Sequence, residues 1–308
     1  MKGKSRLGRG NGFGYALLAP ATLMMLVMSV YPLLSGFWLS MTNRHLMKPK
    51  QNDFVFLENY ITLMHDKEFF GTLAFTFAYT FCVVAISYVA GLALALALNR
   101  NVPCRGFFRA VFLIPWVIPP VVAIINWSYI LGDQFGIINI VLQGLGIIDK
   151  PILFLGDYAL IRPTVILVSA WKQMPFMMIT LLAGLQSIPK ELYEAAEMDG
   201  SGFWNSLRHV TLPMLKPITF ISTLLSFVWT FNSFENVWLL TAGGPNGHTF
   251  TLPILSYYTA FFRQKIAYAS TIASTMVVVM MVLSIIYFRF KFRDDREPKV
   301  RKGRLKNT

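Results

Sequence analysis

The sequence predicts an all-α membrane protein with six transmembrane helices. Of its 308 residues, 55% are hydrophobic and only 14% are charged, which is more apolar surface than one soluble core can bury. A helix needs about 20 mostly apolar residues to cross the hydrocarbon layer of a bilayer. The predicted spans are Tyr15–Met41, Phe70–Leu98, Ala110–Leu131, Thr164–Leu185, Ile218–Leu240 and Ile266–Phe288.

The first span follows a basic stretch that imitates the start of a signal peptide, with Lys2, Lys4, Arg6 and Arg9. Its apolar part is longer than that of a signal peptide, and no small-residue cleavage site ends it. We therefore expect a retained helix after a cytoplasmic basic N-terminus, residues 1–14.

The second and third spans differ in their special residues. Gly91 lies among several alanines in span two, and small residues at such spacings allow close helix packing. Span three contains Pro115, Pro119 and Pro120, each of which removes a backbone donor, so we expect a kinked or partly unwound helix. Broken backbone at membrane depth persists where protein or a water-filled cavity meets it. Span three therefore either lines a pathway or is a fixed kink between packed helices.

The distribution of Lys and Arg predicts that both termini are cytoplasmic. The predicted cytoplasmic segments hold 19 of the 28 Lys and Arg residues, including a basic tail, residues 291–308. We expect this tail to contact anionic membrane lipid, and the net charge of +13 predicts no nucleic acid partner. On the opposite side, Gly136–Leu145 is predicted to be an interfacial helix and Leu240–Gly247 a turn that ends span five.

Neither the cysteines nor the histidines predict a site. Cys82 and Cys104 are separated by roughly 30 Å if the chain between them is helical, beyond the reach of a disulfide. The four histidines are scattered over loops without the spacing of metal ligands, so no metal site is expected.

The cytoplasmic stretch between spans four and five predicts two short helices joined at a sharp corner. Ser187 is placed to cap a helix with Pro189 in its first turn, and Gly200 suits its left-handed C-terminal position. A second helix is expected to run toward Val210, where Thr211–Pro213 opens the next element.

The first of these two helices is expected to be amphipathic. Glu191, Glu194 and Glu197 suit its first turns, where carboxylates interact favourably with the helix dipole. Its apolar side is expected to comprise Leu192, Tyr193, Ala195, Ala196 and Met198. Such a helix either passes force to a partner's groove or lies on lipid headgroups, and the residues alone leave both possibilities open.

This stretch resembles the EAA loop of ABC importer permeases. The match consists of Glu194–Ala196, Gly200 after three residues, and Val210–Pro213 after nine more. The chain from about residue 15 to 290 is also similar to carbohydrate permeases that include the maltose and glycerol-3-phosphate systems. The segments that carry this wider similarity are Ala183–Pro189, Phe112–Trp116, Trp229–Asn232 and Thr241–Pro245.

The resemblance implies a permease domain over residues 15–290, with its EAA loop over 186–216, in a bacterial or archaeal cell (inner) membrane. The implied partners are a second permease subunit, two ATPase subunits, an extracytoplasmic solute-binding protein and a sugar. The sequence has no Gly-x-x-x-x-Gly-Lys-Ser/Thr loop, so we expect a transport subunit, not an enzyme, with ATP and magnesium on the ATPase partners. The residues implied to couple to the ATPases are Glu191, Tyr193, Glu194, Ala195, Ala196, Asp199 and Gly200.

Span five offers the aromatic, amide and hydroxyl groups that bind sugars. Its candidates follow i, i+3, i+4, i+7 spacing, which predicts one face of a helix. They are Trp229, Asn232, Ser233 and Asn236. In the resembled family this span contributes to the sugar site, although hydrogen bonding between helices is the alternative. Weaker candidates are Asn126, Trp127, Trp171 and Gln173.

Two ionisable residues fall inside the predicted spans, Lys172 about 15 Å and Glu235 about 10 Å from the outer ends. Because a charge at depth is costly, we expect both to face the protein interior. They either bond to each other or join one polar network beside the sugar site. The alternative is that Glu235 reaches the outer water.

Two other function classes fit less well. A secondary transporter or channel would show inverted repeats and several intramembrane charges. A membrane-embedded enzyme would place catalytic pairs at depth, yet no predicted span contains Asp or His. The sequence therefore predicts a permease subunit powered by partner ATPases.

Overall fold

The computed structural model describes residues 11–48, 50, 52–100 and 103–294, with side chains between 14 and 289. The four basic residues of the N-terminus and most of the basic tail lie outside the described residues. In chain order the described helices are α1 (Asn11–Met25), α2 (Tyr31–Ser40), α3 (Glu58–Met64), α4 (Lys67–Asn99), α5 (Arg105–Val117), α6 (Pro120–Ile130), α7 (Ile137–Gly144), α8 (Ile161–Gln186), α9 (Lys190–Met198), α10 (Phe203–Ser206), α11 (Leu212–Phe231), α12 (Glu235–Thr241), α13 (Leu252–Phe261) and α14 (Ile266–Asp294).

The predicted number of spans agrees with the described residues, which contain six candidate spans when one bent helix pair is counted as a span. Five continuous stretches are long and apolar enough to cross a membrane: Gly14–Ser40, Lys67–Asn99, Ile161–Gln186, Phe203–Phe231 and Ile266–Arg289. Helices α5 and α6 form the sixth span as a pair bent by 94°. The bend lies at Pro119 and Pro120, so the predicted break of span three is confirmed. Helix α7 confirms the predicted short helix after span three.

The described chain divides into two compact units. The first comprises the described residues up to Asp66 together with Leu255–Val277, and the second comprises Lys67–Ile254 with the described residues from Val278. In the first unit, the Tyr60 hydroxyl bonds to Ser40 Oγ at 2.7 Å and to Ser274 Oγ at 2.8 Å. These bonds tie α2, α3 and α14 together through polar groups that would otherwise lack partners in an apolar medium.

In the second unit, α4 packs closely against α8. The buried core at this contact comprises Ala95, Leu98, Met177, Met178, Leu181, Leu182, Leu185, Ile188 and Leu215. A Cβ added at Gly91 would lie 2.6 Å from Met177 Cβ and 2.9 Å from the Met178 backbone nitrogen. The prediction that a small residue here permits close helix packing is therefore confirmed.

The prediction of one continuous helix over span five is wrong. Helix α11 ends at Phe231, and α12 begins at Glu235 after three non-helical residues. Both the backbone N–H of Asn232 and its side-chain amide donate to the Val228 carbonyl, at 3.3 Å and 2.8 Å. Asparagine offers such local side-chain bonds to the backbone and thereby competes with continued helix.

The predicted cap of α9 is also wrong. Ser187 Oγ donates to the Gly184 carbonyl at 2.8 Å, so Ser187 ends α8, and Pro189 takes the N-cap position of α9. The predicted left-handed end is confirmed, because Gly200 has φ +75°. Its N–H donates to the Glu197 carbonyl, and the Ser201 N–H donates to the Ala196 carbonyl, both at 2.9 Å. These two bonds form a Schellman motif, which satisfies the last carbonyls of α9.

The second predicted helix of this loop does not stop near Val210. It runs without interruption from Phe203 to Phe231 through a π-helical turn at Leu207–Thr211. The wider hydrogen-bond spacing of a π turn accommodates the donor that Pro213 lacks, so Thr211–Pro213 does not open a separate element. Helices α3 and α13 were not predicted, because both are too short for a span-length hydropathy signal.

We expect Gly91→Ala to lower the stability of the protein, because the added methyl group must displace α8 at a cost of about 1–3 kcal/mol. Gly71→Ala is the matched control: it lies on the same helix, and nothing surrounds its Cβ position within 4 Å. That control is expected to be neutral or stabilising by up to about 1 kcal/mol, since alanine favours helix. Thermal unfolding of both purified variants checks the prediction. An unfolding temperature of Gly91→Ala equal to that of Gly71→Ala would contradict it.

Candidate functional site

A polar cavity of about 450 Å³ lies in the second unit, where the two broken spans face α4 and α8. Trp116 and Pro120, on either side of the break between α5 and α6, contribute to its wall. Seven candidates for the sugar site or its polar network line it together: Trp229, Asn232, Ser233, Asn236, Lys172, Gln173 and Glu235. The sequence prediction that these residues lie close together agrees with this placement.

The geometry that brings the span-five residues together differs from the predicted helical stripe. Trp229 stands in the last turn of α11, Asn232 and Ser233 lie in the break, and Asn236 belongs to α12. Residues of three consecutive segments, the end of α11, the break and the start of α12, therefore contribute to one wall. Exposed amides at a helix break keep polar groups available to a ligand, which a continuous buried helix would not do.

Aromatic rings form a second part of the wall. Phe176 packs edge-to-face on Trp229, with ring centroids 4.9 Å apart, and lies 6.3 Å from the ring of Trp116. Phe176 thereby supports the two tryptophans that line the cavity. Aromatic faces next to amide and hydroxyl groups can stack on a sugar ring and bond to its hydroxyls.

Lys172 hydrogen-bonds to backbone carbonyls at the break of span three. Its ammonium donates to the carbonyl oxygens of Pro115, at 3.2 Å, and Ile118, at 3.0 Å. Pro119 has no N–H, so the Pro115 carbonyl loses the donor that a continuous helix would supply. Unpaired carbonyls are costly in a membrane interior, and a charged donor makes strong hydrogen bonds to them. Lys172 therefore satisfies the carbonyl groups that the break leaves without a helical partner, at the wall of the cavity.

Glu235 is the first residue of α12, and its exposed side chain lines the same cavity as Lys172. Within the described residues the Lys172 ammonium bonds to the two carbonyls and makes no direct bond to Glu235. The sequence left open whether Lys172 and Glu235 bond to each other or only share a polar network. In the structure both line one cavity, and they do not bond to each other.

Three predicted candidates, Asn126, Trp127 and Trp171, lie outside the cavity lining. The exposed Asn126 donates its amide to the Val122 carbonyl at 2.8 Å, and Trp171 packs edge-to-face on Trp127 at 5.4 Å. Gln173 does line the cavity and donates to Ser226 Oγ at 3.0 Å.

Sequence reasoning missed Tyr79 and Ser169, which also line the cavity. The Tyr79 hydroxyl donates to Ser169 Oγ at 2.9 Å between α4 and α8. A signal for Ser169 was present, because it forms a polar face of α8 with Lys172 and Gln173 at i, i+3 and i+4. Tyr79 stands among other polar and aromatic residues of α4, so its position gave no comparable signal.

The loop with α9 forms a second candidate region. Glu191, Glu194, Ala195, Asp199 and Gly200 are exposed, and Ala196 is partly buried. The apolar residues do not share one outward face as predicted: Tyr193 packs on the buried core and bonds to Thr211 Oγ1 at 3.1 Å, whereas Met198 is 89% exposed. Tyr193 therefore fixes α9 to the helix Phe203–Phe231.

Within the described residues no group of three or more His, Cys, Asp and Glu side chains is arranged to hold a metal ion. Cys82 and Cys104 are both free thiols.

Comparison with known proteins identifies a family of transport components. The sequence model described as "Binding-protein-dependent transport system inner membrane component" matches residues 87–293. The trehalose/maltose transport system permease protein MalF of Thermococcus litoralis is 31% identical over 283 residues, which cover 92% of this chain and 95% of that protein. The trehalose transport system permease protein SugA of Mycobacterium tuberculosis is 33% identical over 276 residues, covering 89% and 87%.

Solved structures show the same fold. A chain of the bacterial alginate ABC transporter, solved in complex with an alginate pentasaccharide-bound periplasmic protein, superposes with a TM-score of 0.80. The match covers 95% of this chain and 99% of that chain, at 22% sequence identity.

Proposed function

The chain belongs to the family of binding-protein-dependent transport system inner membrane components, and we propose that it is a permease subunit of an ATP-driven importer for a sugar or oligosaccharide. The observation that carries the proposal is the polar cavity at the two broken spans, which offers aromatic and amide groups inside a bundle of membrane helices. The substrate class is supported by the relatives named for trehalose and maltose.

The cavity is proposed as part of the translocation pathway. Trp229 supplies an aromatic face, and Asn232, Ser233 and Asn236 supply groups that can replace water around sugar hydroxyls. The lining contains one cation, Lys172, and one carboxylate, Glu235, so its formal charges cancel. This balance favours a neutral saccharide over an acidic one.

The partners are proposed from the family and from what this chain lacks. The sequence contains no glycine-rich phosphate loop, so ATP hydrolysis is assigned to two partner ATPase subunits. A second permease subunit would complete the pathway, and an extracytoplasmic binding protein would deliver the sugar. The distribution of Lys and Arg supports cytoplasmic termini. The family description supports a bacterial or archaeal cell (inner) membrane as the location.

Helix α9 is proposed to couple the ATPases to the pathway, with Glu191, Glu194, Ala195, Ala196, Asp199 and Gly200 at or near the contact. The support for this proposal is a physical connection between α9 and the cavity. Tyr193 joins α9 to Thr211, which lies in the continuous helix Phe203–Phe231. That helix has 29 residues, or roughly 43 Å, and ends at the cavity beside Asn232. A displacement of α9 would therefore reach the cavity through one continuous helix.

We expect Asn232→Ala to raise the KM for the sugar about 2- to 10-fold, because one substrate hydrogen bond is worth about 0.5–1.5 kcal/mol. Asn126→Ala is a closely matched control, since both exposed asparagines donate their amide to the carbonyl four residues earlier at 2.8 Å, but only Asn232 lines the cavity. Sugar uptake by proteoliposomes containing the whole transporter measures both variants. Equal KM values for the two variants would remove Asn232 from the pathway.

We expect Gly200→Val to uncouple sugar uptake from ATP hydrolysis, because a β-branched residue is strained by about 1–3 kcal/mol at φ +75° and would distort the end of α9. The control is Gly202→Val, two residues away, where φ is −75° and nothing surrounds the Cβ position within 4 Å. The ratio of sugar transported to ATP hydrolysed is measured for both. If Gly200→Val keeps the wild-type ratio, α9 does not transmit the coupling.

A further inference from the structure

The first compact unit contains a polar cavity of its own, of about 630 Å³. Every residue that lines it belongs to this unit, within residues 43–66 and 259–268. None of its lining residues belongs to the lining of the cavity in the second unit.

The walls of this cavity are held together by hydrogen bonds between segments far apart in sequence. The Leu46 N–H donates to the Gln264 carbonyl at 2.8 Å, and the Ala267 N–H donates to the Arg44 carbonyl at 3.2 Å. The Tyr268 hydroxyl donates to Asp66 Oδ2 at 2.7 Å. Because its walls are bonded to one another, the cavity is preformed, and a ligand need not order a loop in order to bind.

The lining is positively charged. Arg44, Arg263 and Lys265 contribute three cations and Asp66 one carboxylate, a formal balance of +2. Within the described residues neither the Arg44 guanidinium nor the Lys265 ammonium forms an ion pair with a carboxylate. Like charges around one cavity repel each other, and a bound anion would remove this cost.

The position of the cations along the chain gives their depth in the membrane. The first span, Gly14–Ser40, ends four residues before Arg44, and the last span, Ile266–Arg289, begins one residue after Lys265. Both cations therefore stand where the hydrocarbon layer gives way to lipid headgroups.

Aromatic rings accompany these cations. The guanidinium of Arg263 lies 5.3 Å from the ring centroid of Tyr258, which stacks on Phe262 at 4.9 Å. Phe261 and Phe262 are 59% and 57% exposed. Exposed phenylalanine rings beside the end of a membrane span can lie at the boundary of headgroups and acyl chains, as Trp, Phe and Leu side chains of interfacial helices do. A soluble anion would leave these rings uncovered, whereas a lipid would cover them with its acyl chains.

From this combination we propose that the cavity binds the phosphate of an anionic phospholipid headgroup. Arg44 and Lys265 donate to the phosphate oxygens, and the exposed rings of Phe261 and Phe262 lie against the acyl chains. Such a lipid would hold the ends of the first and last spans together through their common ligand. The proposal does not depend on the identity of the sugar or on the pathway residues.

The test uses the whole transporter, purified by an affinity tag on this chain. It is reconstituted in nanodiscs of phosphatidylcholine with a small fraction of phosphatidylglycerol. Native mass spectrometry counts the phosphatidylglycerol molecules that stay bound after release from the disc. The double variant Arg44→Gln/Lys265→Gln is compared with Lys48→Gln/Lys50→Gln, which removes two exposed cations of the same region outside the cavity lining. A third variant, Arg44→Lys/Lys265→Arg, keeps both charges.

We expect the glutamine variant of the cavity to bind phosphatidylglycerol at least about tenfold more weakly than wild type, because each lost bond between charged groups is worth that factor or more. The control and the charge-keeping variant should retain the lipid within about twofold of wild type.

Three results would overturn the proposal. Equal lipid retention by the cavity and control variants would show that the cavity does not bind the headgroup. Protection against thermal unfolding by inorganic phosphate in detergent, as strong as that by phosphatidylglycerol, would assign the site to a soluble ion. Loss of a bound protein partner without loss of lipid would assign it to an acidic protein surface.

Discussion

A backbone carbonyl cannot stay unpaired inside a membrane, and the way Lys172 meets this constraint determines the rest of the second unit. The break between α5 and α6 frees carbonyls that helical hydrogen bonds would otherwise pair, and the Lys172 ammonium bonds to those of Pro115 and Ile118. The bend of 94° places Trp116 and Pro120 at the wall of the cavity. Without a donor from α8, this wall would have to close into a continuous helix or admit water.

The second broken span uses a different solution. Asn232 supplies its own local donors to the Val228 carbonyl, so no charged group from another helix is needed. The same break lies at the end of the helix Phe203–Phe231, whose other end is fixed to α9 through Tyr193 and Thr211. In the proposed importer, this helix joins the coupling loop to the sugar pathway.

Much of the fold could be predicted because the signals are local. The prolines predicted the break of span three, Gly91 predicted close helix packing, and Gly200 predicted a left-handed helix end. Local signals failed where two outcomes share the same chemistry. Asn232 and Asn126 make the same backbone bond, yet only Asn232 ends a helix and lines the cavity. Ser187 could serve the helix before it or the one after it. The cationic cavity of the first unit depends on contacts such as Tyr268 with Asp66, across about 200 residues, which no local pattern reveals.

The role of Lys172 is tested most directly by a double-mutant cycle with Pro119, measured as the stability of the purified transporter. Lys172→Met leaves the Pro115 carbonyl unpaired. Pro119→Ala restores a backbone N–H and frees Ile118 to become helical, so that carbonyl can be paired within the helix. If Lys172 pairs this backbone, Lys172→Met should destabilise the wild-type background by about 1.5–3 kcal/mol and the Pro119→Ala background by at least about 1 kcal/mol less. Equal destabilisation in both backgrounds would show that Lys172 does not compensate for the break.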